Sequence, residues 1–187
     1  MLRQVLLIFC AVSALAGCFP AFFHYWQPSA DGGKRINTSC GAIVPPQTFE
    51  YPLGSVMLNL RSSERFADLK LFVPEGSRAR LVSRELRVFT TAASGGITAA
   101  FSDASYPDWT NHTSPQVDPT EAMLGNTRRV VLGSGAREYY MYARFTVVSE
   151  EEFKIALPDI VVNGERYTVP VVTFRKRTGF GIGPVNC

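Results

Sequence analysis

One stretch of this chain, Thr91 to Asn126, gathers most of the side chains able to do chemistry. It holds Asp103, Asp108 and Asp118, with Asn111 and His112 among them. Imidazole and carboxylate together bind divalent ions. The spacing here follows no recognised ligand pattern, so no metal and no other cofactor is expected. A carboxylate such as Asp103 or Asp108 would instead serve as the acid or base of a hydrolase or lyase. The same stretch carries Phe101, Tyr106 and Trp109. Aromatic rings beside carboxylates and amides form carbohydrate- or peptide-binding surfaces, which makes these three the candidate ligand-binding residues. The competing reading is that Tyr106 and Trp109 fold back over one end of the domain. The chain has two histidines, and the other, His24, lies near the N-terminus. No Gly-x-Ser-x-Gly elbow, Ser-x-x-Lys, His-Glu-x-x-His or phosphate-cradling glycine loop occurs, so the expectation is a protein without enzymatic activity.

A second set is basic: Arg78, Arg80, Arg84 and Arg87 near one strand, with Arg128, Arg129 and Arg175 to Arg177 elsewhere. If several converge they can meet anionic lipid, lipopolysaccharide or an acidic partner; otherwise they are a solvated strand face. The overall balance of 19 basic against 16 acidic residues is too mild for the phosphate clamp of a nucleic-acid binder.

The elements that position these residues read as strands. Val56, Leu58 and Leu60 alternate with Met57, Asn59 and Arg61, and Leu69, Leu71 and Val73 repeat the pattern before the turn at Pro74-Glu75-Gly76. Leu86 and Val88, Thr127 to Leu132, and Phe153, Ile155 and Leu157 add further runs. From Glu138 to Val148 one face carries Tyr139, Met141, Ala143, Phe145 and Val147, and the other Tyr140, Tyr142, Arg144, Thr146 and Val148. The first face belongs in a core; the second is mixed, which suits a central strand. Asn163-Gly164 predicts a type I′ hairpin that sets Val162 opposite Glu165 and Ile160 opposite Tyr167. Val171 to Phe174 adds a last short strand. No stretch keeps a helical period. Short strands with turn residues between them predict an all-β fold, an antiparallel β-sandwich that is loosely immunoglobulin-like, with 91–126 as one long loop.

The N-terminus points to a compartment. Arg3 precedes an apolar run from Val5 to Val12, followed by Leu15-Ala16-Gly17-Cys18. This resembles a bacterial lipoprotein signal peptide with its Leu-Ala-Gly-Cys lipobox. The resemblance covers the first eighteen residues and implies cleavage before Cys18 and lipidation of its thiol. Val5 to Ala16 is too short for a membrane span, which needs ~20 apolar residues; an ordinary secretory signal is the other reading. The expected organisation is a signal peptide at 1–17, a lipidated Cys and membrane-proximal tether at 18–40, and the sandwich at 41–187. Phe19 to Pro28, rich in aromatics, either lies at the headgroups or packs on the domain. With Cys10 removed and Cys18 acylated, Cys40 and Cys187 are left in an oxidising compartment, where a disulfide between them is expected. Two free thiols, or pairing of Cys187 between chains, are the alternatives. Asn37-Thr38-Ser39 and Asn111-His112-Thr113 match the glycosylation pattern, which a bacterial lipobox makes accidental.

The function this implies is a lipid-anchored envelope lipoprotein, a non-enzymatic binding or structural module of the periplasm. Its partners would be the membrane through the N-terminal lipid, and an envelope glycan, lipopolysaccharide or protein. A small glycan hydrolase or lyase and a surface adhesion module are the alternatives. Phe19, in place of the Asp that retains enteric lipoproteins at the inner membrane, points to the periplasmic face of the outer membrane.

Overall fold

The computed structural model describes residues 18–37, 46–91, 96–107, 112–125, 136–147 and 151–184. These form strands and no helix. In chain order they are β1 (Cys18–Ser29), β2 (Lys34–Ile36), β3 (Thr48–Leu53), β4 (Val56–Ser62), β5 (Phe66–Pro74), β6 (Arg78–Leu81), β7 (Glu85–Phe89) and β8 (Ile97–Ala100). Then follow β9 (Ala104–Ser105), β10 (Gln116–Val117), β11 (Met123–Leu124), β12 (Ala136–Arg144), β13 (Glu152–Ala156), β14 (Ile160–Val162), β15 (Glu165–Tyr167) and β16 (Val172–Pro184). They pair antiparallel in three sheets, of order β1-β16-β13-β7-β8, β10-β9-β12-β5-β4-β3-β2 and β11-β6-β14-β15. The all-β, sandwich-type architecture is as the sequence predicts, with a four-stranded third sheet as an addition.

Period-two alternation makes the core. On β5 every second residue, Ala67, Leu69, Leu71 and Val73, is buried, and on β12 and just beyond it Tyr139, Met141, Ala143, Phe145 and Val147 are buried. One apolar cluster joins all three sheets: Phe153 and Phe174 from the first, Leu58, Leu60 and Phe49 from the second, Leu81 and Ile160 from the third. A slip of one residue would turn these side chains to solvent, so the register is held by the core itself. The Asn163-Gly164 hairpin forms as expected, with φ of 53° and 94° and Val162 paired with Glu165. Asn163 also ties the hairpin down, its Oδ1 accepting from the Arg78 backbone N–H at 2.9 Å.

The ends of the chain depart from the expectation. Phe19 to Pro28 is strand along its whole length: residues 18–29 are β1, paired with β16 from Cys18 opposite Pro184 to Ser29 opposite Thr173. Trp26 is buried, edge-on to Phe153 at 4.7 Å between centroids, which packs this segment on the domain. The last strand does not stop at Phe174 but runs through Arg175-Lys176-Arg177 to Pro184. Part of the expected tether is strand as well, since β2 pairs with β3.

Nor is 91–126 one loop. It contains β8, β9, β10 and β11, and Phe101, Ala104 and Met123 from it are buried. Scattered single apolar residues, each long-range in its contacts, give it structure that no local period announces. The strand expected at 127–132 lies outside the described residues.

Candidate functional site

The outward face of the seven-stranded sheet carries the most developed site. Registers between β3, β4, β5, β12 and β9 set two rows of side chains across it. One row runs Asn59, Lys70, Tyr140 and Ser105; the next runs Thr48, Arg61, Asp68 and Tyr142. With Ser102 they line a groove of about 350 Å³. Tyr140 and Tyr142 stand on the same face of β12, roughly 7 Å apart along the strand, and are 38% and 37% exposed.

Its charges cancel. Arg61 holds Asp68 through Nη2 at 2.7 Å and Nε at 3.3 Å. Lys70 Nζ lies 4.5 Å from the centre of the Tyr140 ring and 3.4 Å from Glu138. The Tyr140 hydroxyl donates to Glu138. Burial, and then that hydrogen bond, push the phenol well above its ordinary range, so it stays a neutral donor. Tyr142 stacks on Phe66, centroids 5.4 Å apart.

Asn59 is the residue that does not fit a plain outer face. Its neighbours Met57 and Arg61 are half-buried and exposed, yet Asn59 is 5% exposed, and its Oδ1 has no hydrogen-bond partner among the described residues. Leaving a buried amide oxygen unmatched costs on the order of 1–3 kcal/mol. An Asn in the middle of a central strand is unusual in composition too. That was the one signal in the sequence that could have singled it out.

The residues expected to bind ligand are not brought together at an open surface. Phe101 is 2% exposed and bridges to Ala143, so it is core. Tyr106 is half-buried, edge-on to Tyr139 at 5.3 Å, with Arg137 over its ring at 4.3 Å. It has folded back on the domain. Trp109 and Asp108 lie outside the described residues. Asp103 and Asp118 converge, but on Arg84, each 2.7 Å from Nη2. Arg84 and then the Thr120 hydroxyl and backbone N–H hold the Asp118 carboxyl far below its ordinary range. The arrangement ties Asp103 and Asp118 to the connection between β6 and β7; it presents no free acid–base pair. His112 is exposed with φ of 51°, and His24 meets the Thr178 hydroxyl at 3.0 Å.

The arginines separate. Arg78 and Arg80 share the exposed face of β6, while Arg87 is exposed on β7. Arg175 and Arg177 line a wider groove of about 850 Å³ with Lys34, Arg35 and Phe49. There Lys34 pairs with Glu50 at 2.8 Å and Arg175 with Glu152 at 2.5 Å. Arg128 and Arg129 lie outside the described residues, as do Cys40 and Cys187, the expected disulfide pair. Cys18 is described through its backbone, at the start of β1.

The fold and this face define an all-β protein with a charge-balanced, aromatic-edged groove on a sheet. Compared with known proteins, the chain matches no family model, no curated protein and no solved structure.

Proposed function

We propose that this chain is a lipid-anchored envelope lipoprotein whose sandwich is a non-enzymatic binding module, and that the groove edged by Tyr140 and Tyr142 is its ligand face. The observation that carries the binding reading is the buried Asn59 amide, whose oxygen is unmatched among the described residues at the floor of a groove lined by paired charges and exposed rings. Stability alone favours an apolar residue there; a ligand group supplies the missing partner. The hydrolase or lyase alternative keeps less support, because Arg84 engages Asp103, while Asp108 lies outside the described residues.

Anchoring rests on Leu15-Ala16-Gly17-Cys18. Lipid chains contribute ~0.8 kcal/mol per buried methylene, and two chains hold a protein on a bilayer where one does not. The reading places the protein at the periplasmic face of the outer membrane. Cys18→Ala is expected to abolish incorporation of labelled fatty acid and to release the protein from membranes at high salt. A Cys18→Ala protein that still pelleted would refute the anchor. The reading includes a Cys40–Cys187 disulfide. Alkylation of both thiols without prior reduction, seen by mass spectrometry, would remove it.

A further inference from the structure

We infer that the groove binds a neutral saccharide, with Tyr140 and Tyr142 as its ring platform and Asn59 as the group that reads a sugar hydroxyl or acetamido N–H. This rests on the reading of the groove as the ligand face and adds the chemical class of what enters it.

Charge narrows the class of ligand. Arg61 is matched by Asp68 and Lys70 by Glu138. A phosphate or carboxylate ligand would have to break one of these pairs, and a cationic ligand would have to compete with Arg61 or Lys70 for their carboxylates. The groove therefore suits a ligand without charge.

The polar groups of the lining suit such a ligand too. The Ser105 hydroxyl, the Asn59 amide and the outer edges of the Arg61–Asp68 pair mix donors and acceptors within one small volume, beside a Ser102 hydroxyl that already donates to the Asp103 carbonyl and accepts from the Tyr142 N–H. A sugar hydroxyl is both donor and acceptor and matches such a set at each position. It also answers Asn59 in either orientation of the amide, since it can donate to Oδ1 or accept from Nδ2.

An extended peptide does not fit this floor. Peptides that join sheets do so at an edge, through unpaired backbone groups. β4 and β5 are interior strands, each paired on both sides, so the groove floor has only side chains to offer. Two exposed rings on one strand give the apolar face of a sugar ring a surface to lie on, as aromatic side chains combine large apolar area with a polar tip.

The test is calorimetric titration of the full chain, held in amine-oxide micelles because alkyl glycoside detergents carry the very group in question. Three probes are used: cellotetraose, chitotetraose, and an uncharged tetrapeptide. Saturable binding of either saccharide is expected, and the preference between them separates hydroxyl from acetamido recognition. Asn59→Leu is expected to weaken it at least about tenfold while melting no lower than the parent, a combination that a structural role for Asn59 would not give. Tyr140→Ala and Tyr142→Ala, at exposed positions that leave the core intact, are each expected to weaken binding about tenfold. Binding of the peptide alone, binding of no probe, or saccharide binding untouched by the three substitutions would each overturn the inference. Fatty-acid labelling of the same preparations keeps the two readings apart. A lipidated chain that binds no saccharide retains the anchor and loses this site; a saccharide-binding chain without lipid does the reverse.

Discussion

Replacing Trp26 tests whether the segment after Cys18 belongs to the fold. Trp26 is 8% exposed, and its ring meets Phe153, which itself stacks on Phe174 at 5.3 Å. A tryptophan in such a place buries roughly 150–250 Å². At about 25 cal/mol per Å² that is on the order of 4–6 kcal/mol of apolar transfer. Truncations of this kind lose about 3–5 kcal/mol once partial collapse around the cavity is allowed for. For a domain of this size each kcal/mol moves the midpoint by roughly 2–4 °C, so Trp26→Ala is expected to lower Tm by about 6–20 °C. Urea unfolding of the full chain in micelles, followed by far-ultraviolet circular dichroism, gives the free energy directly. The C-terminal half of the same pairing should loosen too, so amides from Phe174 to Arg177 are expected to exchange faster. A loss under ~1 kcal/mol, with those amides unchanged, would mean that Trp26 contributes no core and that the segment is a tether after all.

Two further outcomes follow from the clamp and from one close approach. The Asp118 carboxyl is held below its ordinary 3.8 by Arg84 and Thr120. Its contribution is therefore complete above about pH 4 and fades as the pH falls towards the depressed folded value. Hydrogen exchange near Thr120 to Leu124 should speed up in that acid range relative to an Asp118→Asn chain, which should show no such step. Because Arg84 and Asp118 are each more than a third exposed, high salt should shrink the difference. At Gly125, a Cβ would fall 1.7 Å from the Pro74 carbonyl oxygen, a backbone atom that cannot swing aside. Gly125→Ala is expected to cost about 1–3 kcal/mol, read as a lower urea midpoint. An unchanged midpoint would refute that packing.

What could be read from the sequence was whatever a single strand declares by itself. Tyr139, Met141 and Ala143 alternate with Tyr140, Tyr142 and Arg144, and the pleat alone then separates core from groove. Asn163-Gly164 needs only its own two dihedrals. β1 and β16 declare nothing separately. FPAFFHYWQP has apolar residues at both parities, with Pro20 and Pro28 inside it, and the stretch from Gly179 to Gly183 has the composition of a loop. The register sets Phe19 opposite Gly183, Ala21 opposite Gly181 and Phe23 opposite Gly179. That register exists only once the two strands are paired, so neither strand declares it alone. Phe101, Tyr106 and Trp109 misled for the opposite reason. A run rich in Ser, Thr and Asp looks solvated, and nothing local shows that Phe101 bridges to a residue as distant as Ala143. The groove was half legible, since Tyr140 and Tyr142 were visible as a mixed face while Asn59 and Lys70 reach them only through the pairing of β4, β5 and β12.

The pairing of β1 changes what the proposed anchor would do. With a slack tether, the lipid would leave the sandwich free to swing over the bilayer. Here the lipidated residue would begin a strand. From Cys18 to the buried Trp26, at about 3.3 Å per residue, the chain rises roughly 26 Å. β13 meets β16 only from Val172 to Arg175, so beyond that point β1 and β16 have only each other among the paired strands. A two-stranded ribbon is marginal in water by itself, and Phe22 within it is 79% exposed. The ribbon is thus the least supported part of the sheet and lies where the lipid would attach. A bilayer that received Phe22 would stabilise the paired form, and the sandwich would then stand at a set height instead of drifting. Exchange of the Phe22 to Tyr25 amides measured in lipid vesicles and in micelles separates the cases. Slower exchange in vesicles supports a ribbon seated on the membrane, and equal exchange means that the core from Trp26 onward holds the ribbon unaided.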